Sequence, residues 1–538
     1  MKKLMLLFCT VFIILSLITL SGCKNNSDPE NVSDSGSSQN KNDPEKHEHS
    51  YGEWIEISSS CTDHGSRIKS CACGNSVEEH TSPIGHNIVN GVCSVCGVSE
   101  SKGLEFSLLS TNDAYMIKGI GTCTDTVLIL PSTYENLPVT TIGSGAFADN
   151  KTIKRVELSN TITDIKGEAF HFCSNLEYVS LPKGVKTIGG TSFASSGIKS
   201  VFIPESLTKI TGNMFFSCES LETVEILNGI SNIAKEAFSG CVSLKDIKIP
   251  DSVTEIGNNA FSGCEKLGTV IFGKGIEKID YHAFYACISL TSVEIPNCIN
   301  IGSRAFYRCE TLTSAIIGDQ IAENTQTLGT LGDHAFEKCN KLTTLIIGNG
   351  FEKVDSEAAH KCEALKTLKI GNNVKSIEKS AFSGCSSLEC ITVGKRLQKI
   401  HTSSFAQSTD NIKEVHITDL ESWCGLKYEE SNGKINRIHT GDNCTLYYES
   451  EPINKIKINA ERRIGEYSFY GCETIEEITL SKKVKHIDNS AFENCTNLKS
   501  IIYEGTKTEW DSIEKGNDWS KNISICVVHC SDGDINLN

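Results

Sequence analysis

The sequence predicts a repeat solenoid, in which short parallel strands joined by irregular return segments stack into one array behind a small Cys/His-rich module. Three observations predict it. An apolar pattern returns about every 23 residues over most of the 538-residue chain. No single copy buries enough to fold alone, so neighbouring copies must supply the other wall of each core. The composition, 39% hydrophobic with 43 Gly and 10 Pro, suits a folded body and not a disordered one.

The repeat is read by aligning the Phe of a recurring Ala-Phe pair. It falls at Phe147, Phe170, Phe193, Phe215, Phe238, Phe261, Phe284 and Phe306, then at Phe336, Ala359, Phe382, Phe405, Phe469 and Phe492. The gaps are 22 or 23 residues except for one of 30 and one of 64. One copy shows the slots: Leu244, Ile247, Ile249 and Pro250, then Val253, Ile256, Gly257, Ala260, Phe261 and Cys264. Alternation at Ile247 and Ile249 reads as a short strand ended by Pro250, and the later apolar residues fill the return side of a coil. Stacking pairs the strands in parallel and satisfies their backbone groups.

Three residues after the aligned Phe most copies carry Cys, as at Cys218, Cys241, Cys264 and Cys287, while Asn150, Ser196 and Ser408 hold the slot elsewhere. A slot that accepts non-thiols reads as a small, buried packing position and not as a metal or redox ladder. The 25 cysteines are an odd count, which excludes a fully paired intramolecular disulfide framework. Cys526 and Cys530 stay open as a pair.

The N-terminus carries delivery signals. Lys2 and Lys3 precede an apolar run from Leu4 to Leu20, at the short end of spanning lengths and with no basic cluster after it. Residues 1–22 read as an export signal. Leu20-Ser21-Gly22-Cys23 resembles the lipobox of bacterial lipoproteins, which implies cleavage before Cys23 and acylation there, holding the chain to a membrane surface. Residues 23–50, rich in Ser, Asn, Asp and Lys, read as a flexible tether.

Residues 51–100 form a different unit. Cys71-Ala72-Cys73-Gly74 and Cys93-Ser94-Val95-Cys96-Gly97, with 19 residues between the pairs, approximate the spacing of a zinc ribbon. Cys71, Cys73, Cys93, Cys96 and His86 are the candidate ligands of one structural zinc. The first pair departs from the ribbon pattern in being Cys-x-Cys, so His86, Cys61 or His64 can replace one of its thiolates. Disulfides fit the same cysteines in an exported chain, and both alternatives stay open. No carboxylate is placed to serve an open metal position, so the site reads as structural either way.

The motif Ile-Gly-x-x-Ala-Phe-x-x-Cys-x-x-Leu-x-x-Val-x-Ile-Pro resembles the BspA-like leucine-rich repeat of bacterial surface proteins, over about residues 105–530. The resemblance implies a curved leucine-rich-repeat array with strands lining one face, associated with adhesion and protein binding and usually without catalysis. Residues 101–145 read as its N-terminal cap, 146–412 as repeats, 413–460 as an irregular insert, 461–502 as the last repeats and 503–538 as a C-terminal cap and tail. The seven residues added between Phe306 and Phe336 predict a loop protruding near residues 319–329.

Recognition is sought on the strand position that points away from the core. Down the array it reads Glu157, Ser180, Phe202, Glu225, Lys248, Ile271, Glu294, Ile316, Ile346, Lys369 and Thr392. Phe202, Ile271, Ile316 and Ile346 are apolar where charge is expected, which marks a candidate partner surface; β-branched residues chosen for strand propensity give the same pattern. The net charge of −16, from 51 basic and 67 acidic residues, argues against a nucleic-acid partner. No G-x-S-x-G, phosphate-loop or H-E-x-x-H motif occurs, and Cys424 is the one conceivable nucleophile. The expectation is a non-enzymatic, lipid-anchored surface protein that binds a protein or glycoprotein; the alternative is a structural or carbohydrate-binding component of the cell envelope.

Overall fold

The computed structural model describes residues 51–57, 59–63, 65–71, 76–429, 438, 444–459, 463–524 and 526–537. The signal and tether, Cys23, His64 and Cys73 lie outside the described residues. The chain divides into two units, Met1–Ser58 with Gly65–His80, and Ser59–His64 with Thr81–Asn538. In the first, Ile55–Ile57 runs antiparallel to Gly65–Ser70, with Ser76–Thr81 on the other side of that strand. Arg67 pairs with Glu79 and lies over Trp54, 4.7 Å from the ring centroid.

The second unit is a parallel β-solenoid. One ladder holds the strands read from the sequence, such as Thr223–Ile226, Asp246–Lys248 and Thr269–Ile271, each parallel to the next. A second ladder of two- to four-residue return strands, such as Asn232–Ile233, Glu255–Ile256 and Lys278–Ile279, closes the other side of the coil. The register keeps like slots together: Val224 lies opposite Ile247, and Ile247 opposite Val270, all buried.

The Ala-Phe turns form a third ladder that is not a strand. Phe261 N–H donates to Ala283 O at 2.7 Å, flanked by Asn259 N–H to Tyr281 O at 2.9 Å and Gly263 N–H to Tyr285 O at 2.8 Å, so the turn hands three bonds to the next coil. From Phe147 to Phe336 the rings stack with centroids 5.1–5.5 Å apart and planes within 12°. Ala359 interrupts the stack while remaining buried. The turn is tight enough to need left-handed backbone on both sides of the Phe. Around Phe261 these are Asn259 at φ 54° and Gly263 at φ 72°.

The cysteine slot explains itself in this geometry. Cys241, Cys264, Cys287 and Cys362 are fully buried, and each thiol donates to the carbonyl of the Phe one coil back, at 3.1–3.2 Å. Ser408 makes the same bond to Phe382 O at 2.7 Å, which is why serine can stand there. Cys526 and Cys530 are separate thiols.

Two expectations change. Residues 319–329 do not protrude freely. Glu323 pairs with Lys395 and accepts from Asn372 Nδ2 at 2.6 Å, and Asn324 accepts from Arg396 at 3.2 Å, so the loop lies along the edge of the following coils. Gly329–Leu331 then rejoins the return ladder beside Phe351–Val354. The stretch 413–460, expected as irregular, carries both ladders onward in its described parts. Glu414–Ile417 pairs with Cys390–Val393, Thr445–Tyr448 pairs with Glu414–Ile417, and Lys427–Glu429 extends the return ladder. A short helix, Leu420–Cys424, occupies the connection between the strand Glu414–Ile417 and the return strand Lys427–Glu429 and is capped by Asp419, which accepts from Ser422 N–H at 2.7 Å. Buried Trp423 donates from Nε1 to Ser468 O at 2.8 Å and ties that helix to a later coil.

At each end of the array one ladder is turned back on itself by an antiparallel pair, which replaces a parallel edge with a short hairpin. At the start Glu105–Leu108 and Tyr115–Gly119 form an antiparallel pair before Leu137–Ile142. At the end Val527–Cys530 turns back on Gly533–Asn536, and Trp519 meets Phe492 edge-on, terminating the ring stack.

Candidate functional site

The outward row of the strand ladder was the expected partner surface. Ile271 is 57% exposed at the end of Thr269–Ile271, an unusual place for isoleucine. Ile316 and Ile346 lie opposite one another in register, half-buried, with Glu294 beside the first and Lys369 beside the second. Phe202 is half-buried next to Glu225 and is separated from the isoleucines by charged positions. The row therefore joins Ile316 to Ile346 and leaves Phe202 apart. It also runs further than the sequence suggested. His416 and Tyr447 continue it past Thr392 and stack at 4.6 Å, a pair hidden in the sequence because Tyr447 falls within the 64-residue gap. Thr291, Thr313 and Thr343 alongside are already engaged, their hydroxyls donating to Gly268, Thr291 and Thr313 carbonyls of the preceding coil at 2.9–3.1 Å.

The start of the row does not face solvent, contrary to expectation. Ser180 is buried, and Glu157 lies beneath residues that precede the array. His86 forms a parallel bridge with Ser159, donating from its amide to Leu158 O at 3.1 Å and accepting from Asn160 N–H at 2.9 Å. Tyr178 donates its hydroxyl to Thr62 O at 2.9 Å. A satellite core of Cys61, Ile88, Cys93 and Ile129 fills the junction.

At this junction the second unit brings Cys61, His86, Cys93 and Cys96 together, one ligating atom of each within 4.8 Å of all the others. Of the residues expected as ligands, His86, Cys93 and Cys96 meet here. Cys71 is not part of this cluster: it belongs to the first unit, where it bridges Tyr51, and Cys73 lies outside the described residues. Cys61 takes the place given to the first cysteine pair. A hydrogen bond to Glu157 raises the His86 imidazole to about 9 against the opposing effect of burial. Burial pushes the Cys61 thiol up to about 12, with Cys93 and Cys96 adding to it. Burial would raise Cys93 as well, but hydrogen bonds from the Cys96 and Val95 amides and from His86 outweigh it and bring Cys93 down to about 6. Burial would raise the Glu157 carboxyl too, but hydrogen bonds from His86 and Arg155 overcome it and hold the carboxyl below its ordinary range.

Cys424 is fully buried and its thiol is pushed well up by burial, the opposite of what a nucleophile needs. Two other groupings, Cys390 with Glu414 and His416, and His334 with Glu337 and Glu357, are each three residues with exposed or half-buried members.

A stacked parallel ladder with repeating Leu, Val, Ile and Phe slots defines a leucine-rich-repeat protein. Residues 140–267, 231–327, 322–425 and 441–515 match the family described as BspA type Leucine rich repeat region, and the chain belongs to that family. Among solved structures it is similar to a leucine rich cell surface protein from Faecalibacterium prausnitzii, at 21% identity and a TM-score of 0.35, covering 78% of this chain and 98% of that one. A leucine-rich repeat protein from Bacteroides ovatus gives 23% identity and a TM-score of 0.39, covering 65% and 98%. The pneumococcal vaccine antigen PcpA gives 17% and 0.39, covering 72% and 93%. No curated protein matches. Among the described residues no helix is long and apolar enough to cross a membrane.

Proposed function

We propose that the chain is a non-enzymatic surface protein, held to a bacterial membrane through lipid on Cys23, that binds a protein or glycoprotein partner along the outward row of its strand ladder. The observation that carries the reading is the apolar group on that row. Ile271 is 57% exposed, and the Ile316–Ile346 pair lies between Glu294 and Lys369, an apolar centre with charges of both signs at its margin. That arrangement is the anatomy of a protein interface. The family supports the reading, and the lipobox motif supports the anchor.

The test compares the full chain with its Ile271→Asp, Ile316→Asp, Ile346→Asp variant for attachment to host cells and to purified matrix glycoproteins. Attachment lost in the variant, with its thermal unfolding unchanged, supports the reading. Equal attachment by both proteins rejects the surface. Cys23→Ser should abolish incorporation of labelled fatty acid into the chain, and labelling that persists in the variant would reject the anchor.

A further inference from the structure

We propose that Cys61, His86, Cys93 and Cys96 bind one zinc ion that fastens the segment preceding the array onto its first coil. The distances fit the ion. Tetrahedral zinc with Zn–S of about 2.3 Å and Zn–N of about 2.0–2.1 Å places two sulfurs about 3.8 Å apart, and a sulfur and a nitrogen about 3.5 Å apart. Cys61 Sγ and Cys93 Sγ are 3.8 Å apart, and Cys96 Sγ and His86 Nδ1 are 3.4 Å apart. A disulfide would need sulfurs at about 2.05 Å. Three thiols and an imidazole fill all four positions of a tetrahedron, so the site is closed and structural, with no place for a reacting water.

The surroundings are built for a ligand histidine. His86 Nε2 bonds Glu157 Oε2 at 2.8 Å, and Glu157 Oε1 accepts from Arg155 Nε at 2.6 Å. With Nε2–H donating to the carboxylate, Nδ1 turns its lone pair toward the three sulfurs, the arrangement that orients metal-bound imidazoles. The Cys93–Cys96 turn closes as a metal-binding knuckle does. Gly97 N–H donates to Cys93 O at 2.9 Å, and Gly97 stands at φ 75°, where a side chain would be strained.

Glu157 lies on the strand Arg155–Glu157 of the array, whereas the ligands come from three separate positions before it. An ion held there joins those positions to one another and, through His86 and Glu157, to the first coils. The function of the metal is thus to lock a cover over the start of the strand ladder, where Glu157 and Ser180 are withdrawn from solvent.

The experiment uses the full chain purified without added reductant, with metal content measured and cobalt exchanged for zinc. One zinc per chain is expected, and the cobalt form should show a tetrahedral thiolate spectrum. Cys61→Ser and Cys96→Ser should lose the metal, while Cys71→Ser and Cys73→Ser should keep it. Glu157→Gln leaves every ligand in place and should weaken zinc about 10–100-fold in chelator competition. The proposal is overturned by protein without zinc that takes up no cobalt, by zinc that survives Cys61→Ser but not Cys71→Ser, by a Cys61–Cys93 disulfide in the purified protein, or by unchanged affinity in Glu157→Gln.

Discussion

Cys264 Sγ donates to Phe238 O at 3.2 Å, across the boundary between two consecutive coils and in complete burial. The carbonyl already accepts from Cys241 N–H at 3.2 Å, so the thiol occupies its second lone pair. The slot therefore asks for a small side chain that also carries a donor. Cys264→Ser should keep the bond, as Ser408 does, and cost under about 1 kcal/mol. Cys264→Val removes the donor and crowds the coil boundary, costing about 1–3 kcal/mol. Thermal unfolding of the two variants checks the order; a Val variant as stable as the Ser variant would remove the hydrogen bond from the account.

Burial pushes the Cys264 and Cys385 thiols from an ordinary 9.0 to about 12, and Cys173 and Cys218 to about 11. A group whose folded value is raised stabilises the fold fully below its unfolded value and loses that contribution as pH climbs toward the folded one. Stability should be level in this respect up to pH 9 and fall from there toward pH 12. Below pH 9 these thiols should resist iodoacetamide in the native protein and react once it is unfolded, which mass spectrometry reads site by site. Rapid native labelling of Cys264 would contradict the burial.

Phe261 stacks on Phe238 at 5.2 Å and on Phe284 at 5.1 Å, all three rings buried. Phe261→Ala leaves a gap between two neighbours fixed by their own turns, and should cost about 3–5 kcal/mol. The loss is measured by denaturant unfolding.

Gly263 stands at φ 72° with open space where a Cβ would go, so the only penalty of a side chain there is in the backbone. Gly263→Ala should cost about 1 kcal/mol. Lys338 holds the matching position of its own coil at φ 62°, and Lys338→Gly should be neutral or mildly stabilising. Paired melting curves test the two signs together.

Zinc removal should act locally. After chelation, amide exchange should quicken at His86, Ile88 and Cys93, whereas Phe238 and Phe261 in the middle of the array should keep their protection. Uniform loss of protection along the chain would show that the cluster supports the whole array and not only its start.

The period, the core slots and the small-residue nature of the cysteine position are legible in the sequence because every coil meets the same neighbour at the same register. A residue such as Ile247 sees its environment repeated above and below, so its role can be read from the repeat alone. The same logic fails where the period fails. The helix Leu420–Cys424 stands between a strand and its return strand, where the regular coils make a short turn, and the 64-residue gap hid strands that pair in register on either side of it. Residues 319–329 looked free because nothing in their order reveals that Glu323 reaches Lys395.

The sequence by itself determined a stack of 23-residue coils, since local alternation and the spacing of Phe and Cys specify which side chains point inward. Only the tertiary structure decided which cysteine joins His86, Cys93 and Cys96, and which outward positions stay open to a partner. Cys61 and Glu157 are distant in sequence from the knuckle they serve, and such contacts are set by how the chain folds back over the first coils. A periodic pattern records what each residue does for its own coil, and it carries no record of segments that return from outside the period.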